Sequence, residues 1–427
     1  MMTFISVRKK AEYKLYKVFG FEFKVMRSSY RKMFKLKEEL TNRYQVLRDC
    51  FRNRKEKKYR VGFLVAHIQK WKCQSVFDLM KKENGLTPVI VVVPDFWKDD
   101  AIETIKMRMA EIQEYCQRRN MDYVVSWDDA RKEATPLDSF DLDIVFYEQP
   151  WDINKIHQIK QVSKRSLTCY VPYYVPNYGN LEYDCKAFHQ QLFRYYVFNQ
   201  SWKDLYLSKM GGCEDVLCPV GHPTLDFYLE NKNQENKRYV IYAPHHSFGS
   251  SSIGFGTFEW SGRAILEFAK KHPEFNWLYK PHPNTKKELV RNNIMSQAEV
   301  EDYWSAWEEI GGVYEGGEYL PLFQNSSCLI TDCGSFLVEY FYTGNPVIHM
   351  ISGRAQEPVP ALKEIIDCYY KVTTKEDLLL RMTELLVNKS DPMKLQRLNK
   401  VESLSLGQQS CASNIVQDIK NILGLGL

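Results

Sequence analysis

Leu329 to Met350 reads LITDCGSFLVEYFYTGNPVIHM. The apolar run ending in Thr331-Asp332 has the texture of a buried strand. Cys333-Gly334-Ser335 reads as a tight turn, and Phe336, Val338, Glu339 and Phe341 lie on the helix that follows. Gly344-Asn345-Pro346 stops that helix, and Val347-Ile348 opens the next strand. The first turn of a helix in this position offers free N–H groups and the positive end of the helix dipole, so it suits an anion. On this reading Ser335 caps the helix or gives its hydroxyl to a phosphate. Glu339, one turn further on, takes ribose hydroxyls or faces solvent.

The same alternation extends in both directions. Upstream, Arg238 to Ala243 and Asn276 to Lys280 read as strands, with helices at Gly262 to Lys271 and Val300 to Gly311. Downstream come the strand Tyr369 to Val372 and the helix Lys375 to Leu386. An earlier series holds strands at Arg60 to Ala66, Thr87 to Val93, Tyr123 to Val125, Asp143 to Tyr147 and Leu167 to Val171, with helices at Ser75 to Lys82 and Ala101 to Arg119. Short apolar strands alternating with helices imply parallel sheets wound on both faces. The two series meet at the polar stretch Asn231 to Asn236. The expected architecture is therefore α/β, with two Rossmann-like doubly wound domains facing a cleft, at 59–235 and 236–390. Helices in 391–427 are expected to pack back on the domain junction.

A chain of 427 residues is long enough for two such domains and an appendage. Its 44% hydrophobic and 26% charged composition is that of a soluble protein, and the longest apolar run, Val89 to Val93, is too short to span a bilayer. Eleven irregularly spaced cysteines without a CxxC pair argue for reduced thiols in a cytoplasmic compartment. The opening MMTFISVRKKAEY has no apolar core of a signal peptide. The charge is uneven. Residues 1–60 hold 19 Lys/Arg against 6 Asp/Glu, so they carry +13 and leave −8 for the rest of a chain whose total is +5. Residues 1–58 contain no proline and only Gly20, and they read as a basic helical arm. In Tyr30 to Leu47 an apolar stripe of Tyr30, Met33, Leu40, Tyr44 and Leu47 is flanked by basic residues. Such a helix suits an anionic membrane surface; the other reading is a helix packed on the body of the protein. No motif for nucleic acid accompanies the charge.

Three strand ends of the second series carry chemistry: Pro244-His245-His246-Ser247, Lys280-Pro281-His282-Pro283 and Asp332-Cys333-Gly334-Ser335. In open α/β sheets the ligand lies at those ends. Imidazoles, a lysine and a helix start there suit a diphosphate and the charge that develops on a leaving phosphate. Asp141-Leu142-Asp143 matches the DxD metal motif only superficially, because it leads into a strand of the first domain. No acidic cluster calls for a protein-bound metal, although a diphosphate can bring its own Mg²⁺.

YAPHH, KPHP and ITDCGSFLVEYFYTGNPVI, in this order, resemble the CDP-glycerol glycerophosphotransferase family, which includes the teichoic-acid primases and polymerases. VGHPTLDFYL looks like the family's Gly-x-Pro-x-x-Asp segment, giving Gly221, Pro223 and Asp226. The resemblance covers roughly residues 60–390. It implies a GT-B fold, a CDP-activated polyol donor bound by the second domain, a membrane-linked glycan acceptor, and a peripheral position on the inner face of the membrane. It further implies that His282 contacts the donor pyrophosphate; Lys280 and Gly334, from the same strand ends, are read as donor-binding residues with it. Asp332 and Ser335 would sit at the phosphate or glyceryl group, and Glu339 near the nucleotide. One segment departs from the pattern. The polymerases carry Trp-His-Gly-Thr in the first domain, whose histidine is the proposed base; here Pro172-Tyr173-Tyr174-Val175-Pro176 stands in its place. An unperturbed tyrosine is a poor base at neutral pH, so either His222, His245 or His246 does that work or the acceptor chemistry differs. The YVPY form, with Glu148-Gln149-Pro150, looks like a branch associated with capsule or lipopolysaccharide assembly. Two other functions fit the same residues: a GT-B glycosyltransferase using a nucleotide-sugar, and a non-catalytic adaptor of glycan assembly.

Overall fold

The computed structural model describes residues 5–9, 13–18, 21–26, 28–95, 101–151, 153–175, 186–210, 214–231, 238–249, 254–316, 318–405 and 409–426. Most of the Asn231 to Asn236 stretch lies outside the described residues.

Three antiparallel strands come first: β1 (Ile5–Lys9), β2 (Tyr13–Val18) and β3 (Phe21–Met26). The helix expected between Tyr13 and Met26 is thus a hairpin. Aromatic and β-branched residues are frequent in both segments, and in FEFKVM Phe21, Phe23 and Val25 alternate with Glu22 and Lys24, a period of two that favours strand. The helix expected over Tyr30 to Leu47 forms, as part of Ser28–Arg52. The described part of its stripe, from Leu40 to Leu47, faces protein. Leu40 and Tyr44 are buried, Leu47 packs against the same core, and the Tyr44 hydroxyl donates to the Gln191 carbonyl at 2.6 Å. At the end of this helix Arg52 donates to the carbonyls of Asn421 and Ile422, tying the arm to the C-terminal helix Cys411–Leu423. Leu40→Ala should therefore cost about 2–5 kcal/mol in denaturant unfolding, whereas Val46→Ser on the exposed face should change stability by less than about 0.5 kcal/mol. A neutral Leu40→Ala would mean that the stripe is not part of the core.

The first sheet is all parallel, ordered β10-β9-β8-β7-β4-β5-β6. Its strands are β4 (Tyr59–Val65), β5 (Leu86–Val92), β6 (Tyr123–Val125), β7 (Ile144–Tyr147), β8 (Leu167–Tyr170), β9 (Arg194–Val197) and β10 (Leu217–Pro219). The second sheet, also parallel, runs β12-β11-β13-β14-β15. It comprises β11 (Tyr239–Ala243), β12 (Asn276–Tyr279), β13 (Ser326–Thr331), β14 (Val347–Met350) and β15 (Tyr370–Val372). Near-continuous burial along β4, β5, β11 and β13 shows that both faces of each sheet are covered, as a parallel sheet requires. One apolar cluster runs unbroken from Val91 and Tyr195 of the first domain to Leu329 and Leu337 of the second.

The strand order locates the functional crevices. In the first sheet the order reverses between β4 and β7, and in the second between β11 and β13. The carboxyl ends of these pairs are the topological switch points, where doubly wound domains bind their ligands. The chain's last helices link the domains. In Lys394–Ser405 the fully buried Arg397 guanidinium donates to the Gly344 carbonyl and pairs with Asp391. Cys411–Leu423 then packs on the first domain, and the Asp226 carboxylate accepts from the Cys411 and Ala412 N–H groups at 2.7 and 2.9 Å. Gly221 stands at φ +97°, so the backbone of the turn before Asp226 needs glycine. Among the described residues no helix is long and apolar enough to cross a membrane.

Candidate active site

β11 and β12 end side by side, and their loops bring three imidazoles together. The His246 and His282 rings stack with centroids 3.8 Å apart, and His245 lies 4.5 Å from His246. Adjacency in sequence leads one to expect that His245 and His246 point to different places; the bend after Pro244 puts both in one cluster. His282 Nδ1 accepts from the Asn284 N–H at 3.1 Å, and His245 Nδ1 accepts from the Ser247 N–H at 3.2 Å. Each therefore carries its proton on Nε2. Burial drives all three below the ordinary histidine range, His282 to about 3. They are neutral hydrogen-bonding groups rather than cations. His246 Nδ1 is buried without a partner.

The positive charge belongs to Lys280. Its side chain is buried, and burial pulls its ammonium down to about 8. Among the described residues Nζ has no hydrogen-bond or ion-pair partner; it rests over aromatic rings, 4.9 Å from the Tyr319 centroid and 5.5 Å from that of Phe336. Lys72 reaches the same place from the first domain. Its Nζ donates to the Tyr319 hydroxyl at 3.0 Å, and that hydroxyl donates to the Glu339 carboxylate. Glu339 is fully buried, and desolvation raises its pKa against the pull of Lys72 and Lys280. Neither solvent nor an open crevice reaches it here, because Tyr319 covers it.

Two of the expected roles change. Ser335 does not cap its helix: Cys333 holds the cap position of Gly334–Glu339, and Ser335 Oγ sits 3.3 Å from Cys333 Sγ. Asp332 is turned inward. Its carboxylate accepts from the His245 N–H at 2.6 Å, the Thr257 N–H at 2.7 Å and the Thr257 hydroxyl at 2.8 Å. Burial nonetheless lifts it to about 7. Asp332 organises the loops that carry the histidines and leaves no oxygen free for a ligand.

His222 stands apart, on the first domain. Its Nδ1 accepts from the Thr224 N–H and its Nε2 donates to the Pro172 carbonyl at 2.9 Å. Both nitrogens are engaged and burial lowers it to about 4, so it fastens two loops and has no lone pair for an acceptor proton. Asp143 is held by Arg54 and by the Arg60 N–H. Among the described residues no group of His, Cys, Asp and Glu could hold a metal ion. Three residues of the cleft were not legible beforehand as site residues: Lys72, Tyr319 and Glu148. Lys72 and Tyr319 lie in irregular stretches, and they meet only because the domains close on each other.

Two parallel-sheet domains, switch points facing a common cleft and a C-terminal helix returning to the first domain define the GT-B fold. Solved structures share it. The UDP-GlcNAc 2-epimerase of Neisseria meningitidis, bound to UDP-GlcNAc, aligns over 86% of this chain and 99% of its own, with TM-score 0.51 and 14% identity. A variant of the wall teichoic acid polymerase TagF aligns over 92% of this chain and 97% of its own, with TM-score 0.53 and 11% identity. MnaA of S. aureus with UDP covers 86% and 97%, with TM-score 0.51 and 11% identity. No protein-family profile and no curated protein matches the sequence.

Proposed function

We propose that the chain is a transferase moving glycerol phosphate, or a related polyol phosphate, from a CDP-activated donor to a hydroxyl of a cell-surface glycan. The observation that carries this reading is the set at the second switch point: a buried lysine with no carboxylate partner among the described residues, beside two stacked, neutral imidazoles. Such a set suits a diphosphate whose charge must be met without reorganising solvent. The segments resembling the glycerophosphotransferases fall on these same loops, and a teichoic acid polymerase has this fold.

In the reaction the acceptor oxygen forms a bond to the β-phosphorus of CDP-glycerol. The bond from that phosphorus to the bridging oxygen breaks, and CMP departs with the electron pair. His282 and His246 donate hydrogen bonds to phosphate oxygens, and Lys280 offsets the charge on the leaving group. Gly334 and Ser335 stand at the helix start beside them. Any Mg²⁺ arrives with the diphosphate. The protein works at the inner face of the membrane on a membrane-linked glycan. Lys35, Lys55 and Lys58 of the arm are exposed to attract anionic lipid, while the apolar stripe stays with the core.

A thermal-shift panel tests the donor. CDP and CDP-glycerol at a hundredfold excess over Kd should raise Tm by about 2 °C, and His282→Ala should lose most of that shift. Stabilisation by UDP- or GDP-sugars alone would move the chain to glycosyl transfer. No response to any cytidine or uridine nucleotide would favour a non-catalytic adaptor.

A further inference from the structure

The two switch points are built alike, with one difference. In the second domain the carboxylate after β13 accepts the N–H of the loop after β11, as Asp332 does from His245. In the first domain the carboxylate after β7 does the same to the loop after β4: Glu148 Oε1 accepts from the Ala66 N–H at 3.2 Å. Asp332 fills its second oxygen with Thr257. Among the described residues Glu148 Oε2 is buried without a hydrogen-bond partner of normal geometry, and the His67 N–H also faces the carboxylate. A carboxylate serving only to tie two loops has no reason to leave a buried oxygen unmatched, since such an atom costs about 1–3 kcal/mol.

Glu148 lies against Pro172 and Tyr173, in the segment that stands where the polymerases carry Trp-His-Gly-Thr. The Tyr173 N–H donates to the Glu148 carbonyl at 3.0 Å, so the Pro172-Tyr173 turn lies directly against Glu148. Tyr173 in turn feels both Glu148 and, across the cleft, Cys333 and Glu339. Glu148 lines two small cavities, of about 10 and 30 Å³, the first shared with Lys70, Lys72 and Tyr173 and the second with Asn154 and His157.

We infer that Glu148 is the general base of the acceptor half-site, with Oε2 as the atom that receives the proton. This rests on the transferase reading. As the acceptor oxygen bonds to phosphorus, its proton passes to Oε2, and the electron pair of the breaking bond leaves with the nucleotide. The group is suitably poised: burial raises the Glu148 carboxyl to about 7, where a base is both available and strong enough. The charges around it are Lys70 and Lys72 from the loop after β4, and Asp95, paired with His67, from the loop after β5. Cys73, Tyr173 and His157 complete its titratable surroundings, all held neutral at pH 7 by burial.

The experiment follows CMP release from CDP-glycerol with molar glycerol as the hydroxyl acceptor, in wild type, Glu148→Gln and Glu148→Asp. CDP affinity should stay within twofold of wild type in both variants. Release by Glu148→Gln should fall about 100-fold. Wild-type kcat/KM should rise about fivefold from pH 6 to pH 8, as a base of pKa near 7 loses its proton while Lys280, near 8, is half deprotonated at the upper end. That rise should vanish in Glu148→Gln and survive, at lower rate, in Glu148→Asp. If Glu148→Gln does not fold, the Glu148→Asp profile alone decides: a limb shifted toward lower pH supports the base, an unmoved one overturns it. A fall of less than tenfold, or a limb that survives in Glu148→Gln, also overturns it. Wild type that releases no CMP but turns over a nucleotide-sugar overturns the donor assignment, and Glu148 is then tested on that donor. Wild type inert with every donor overturns both.

Discussion

Lys280→Met should lower CMP release by about 10²–10³-fold and, at pH 7, make the protein more stable. The two effects have one cause. Lys280 is a buried cation with no carboxylate partner among the described residues, held over the rings of Tyr314, Tyr319 and Phe336. Methionine keeps the shape and the ring contacts and removes the desolvated charge. A residue retained for stability would give the opposite sign. The pH dependence follows from the direction of the shift. Burial lowers the ammonium from 10.5 to about 8, so between those values the unfolded chain binds more protons than the folded one. Stability therefore rises with pH across that window. The penalty is fully present below pH 8 and is relieved by pH 10.5, for a change of about 3 kcal/mol. Denaturant unfolding of wild type and Lys280→Met at pH 7 and pH 10 checks this. The gap favours the variant at pH 7 and narrows at pH 10.

Asp332→Ala should cost about 3–5 kcal/mol, because the buried N–H groups of His245 and Thr257 and the Thr257 hydroxyl lose their acceptor together. The histidine loop and the start of the helix Phe258–Lys271 are then no longer tied to the end of β13. A His282→Ala protein, by contrast, should unfold within about 1 kcal/mol of wild type while losing nucleotide binding, because its ring is partly buried and, among the described residues, accepts a single local hydrogen bond. Calorimetry and nucleotide titration on both proteins separate an organising carboxylate from a ligand-contacting imidazole. An Asp332→Ala protein as stable as wild type would mean that its carboxylate is free for a ligand after all.

Much of this was readable from residues alone, for physical reasons. Strands such as TPVIVVV and the turn ITDCGS carry their signal locally, in unbroken apolar runs and in a polar turn before a helix. The convergence of His245, His282 and Asp332 at one sheet edge follows from parallel strands joined by helices. The N-terminal hairpin was hidden because the absence of proline and the basic charge favoured helix, while the alternation in FEFKV spoke for strand. The inward turn of Asp332 was not legible, since a carboxylate beside a phosphate site looks the same in sequence whether it serves the ligand or the loops. Glu148 and Lys72 were hidden for another reason. They become neighbours only through the reversal of strand order between β4 and β7, which no local pattern encodes.

The central claim is that a phosphoryl group, not a sugar, moves. Phosphorus NMR of the purified chain with CDP-glycerol and an acceptor alcohol tests it most directly. The account predicts that the diphosphate resonances disappear as equal amounts of CMP and a new phosphodiester appear, and that His282→Ala leaves the diphosphate intact. An unchanged CDP-glycerol spectrum, with UDP or GDP released from a nucleotide-sugar under the same conditions, would contradict it.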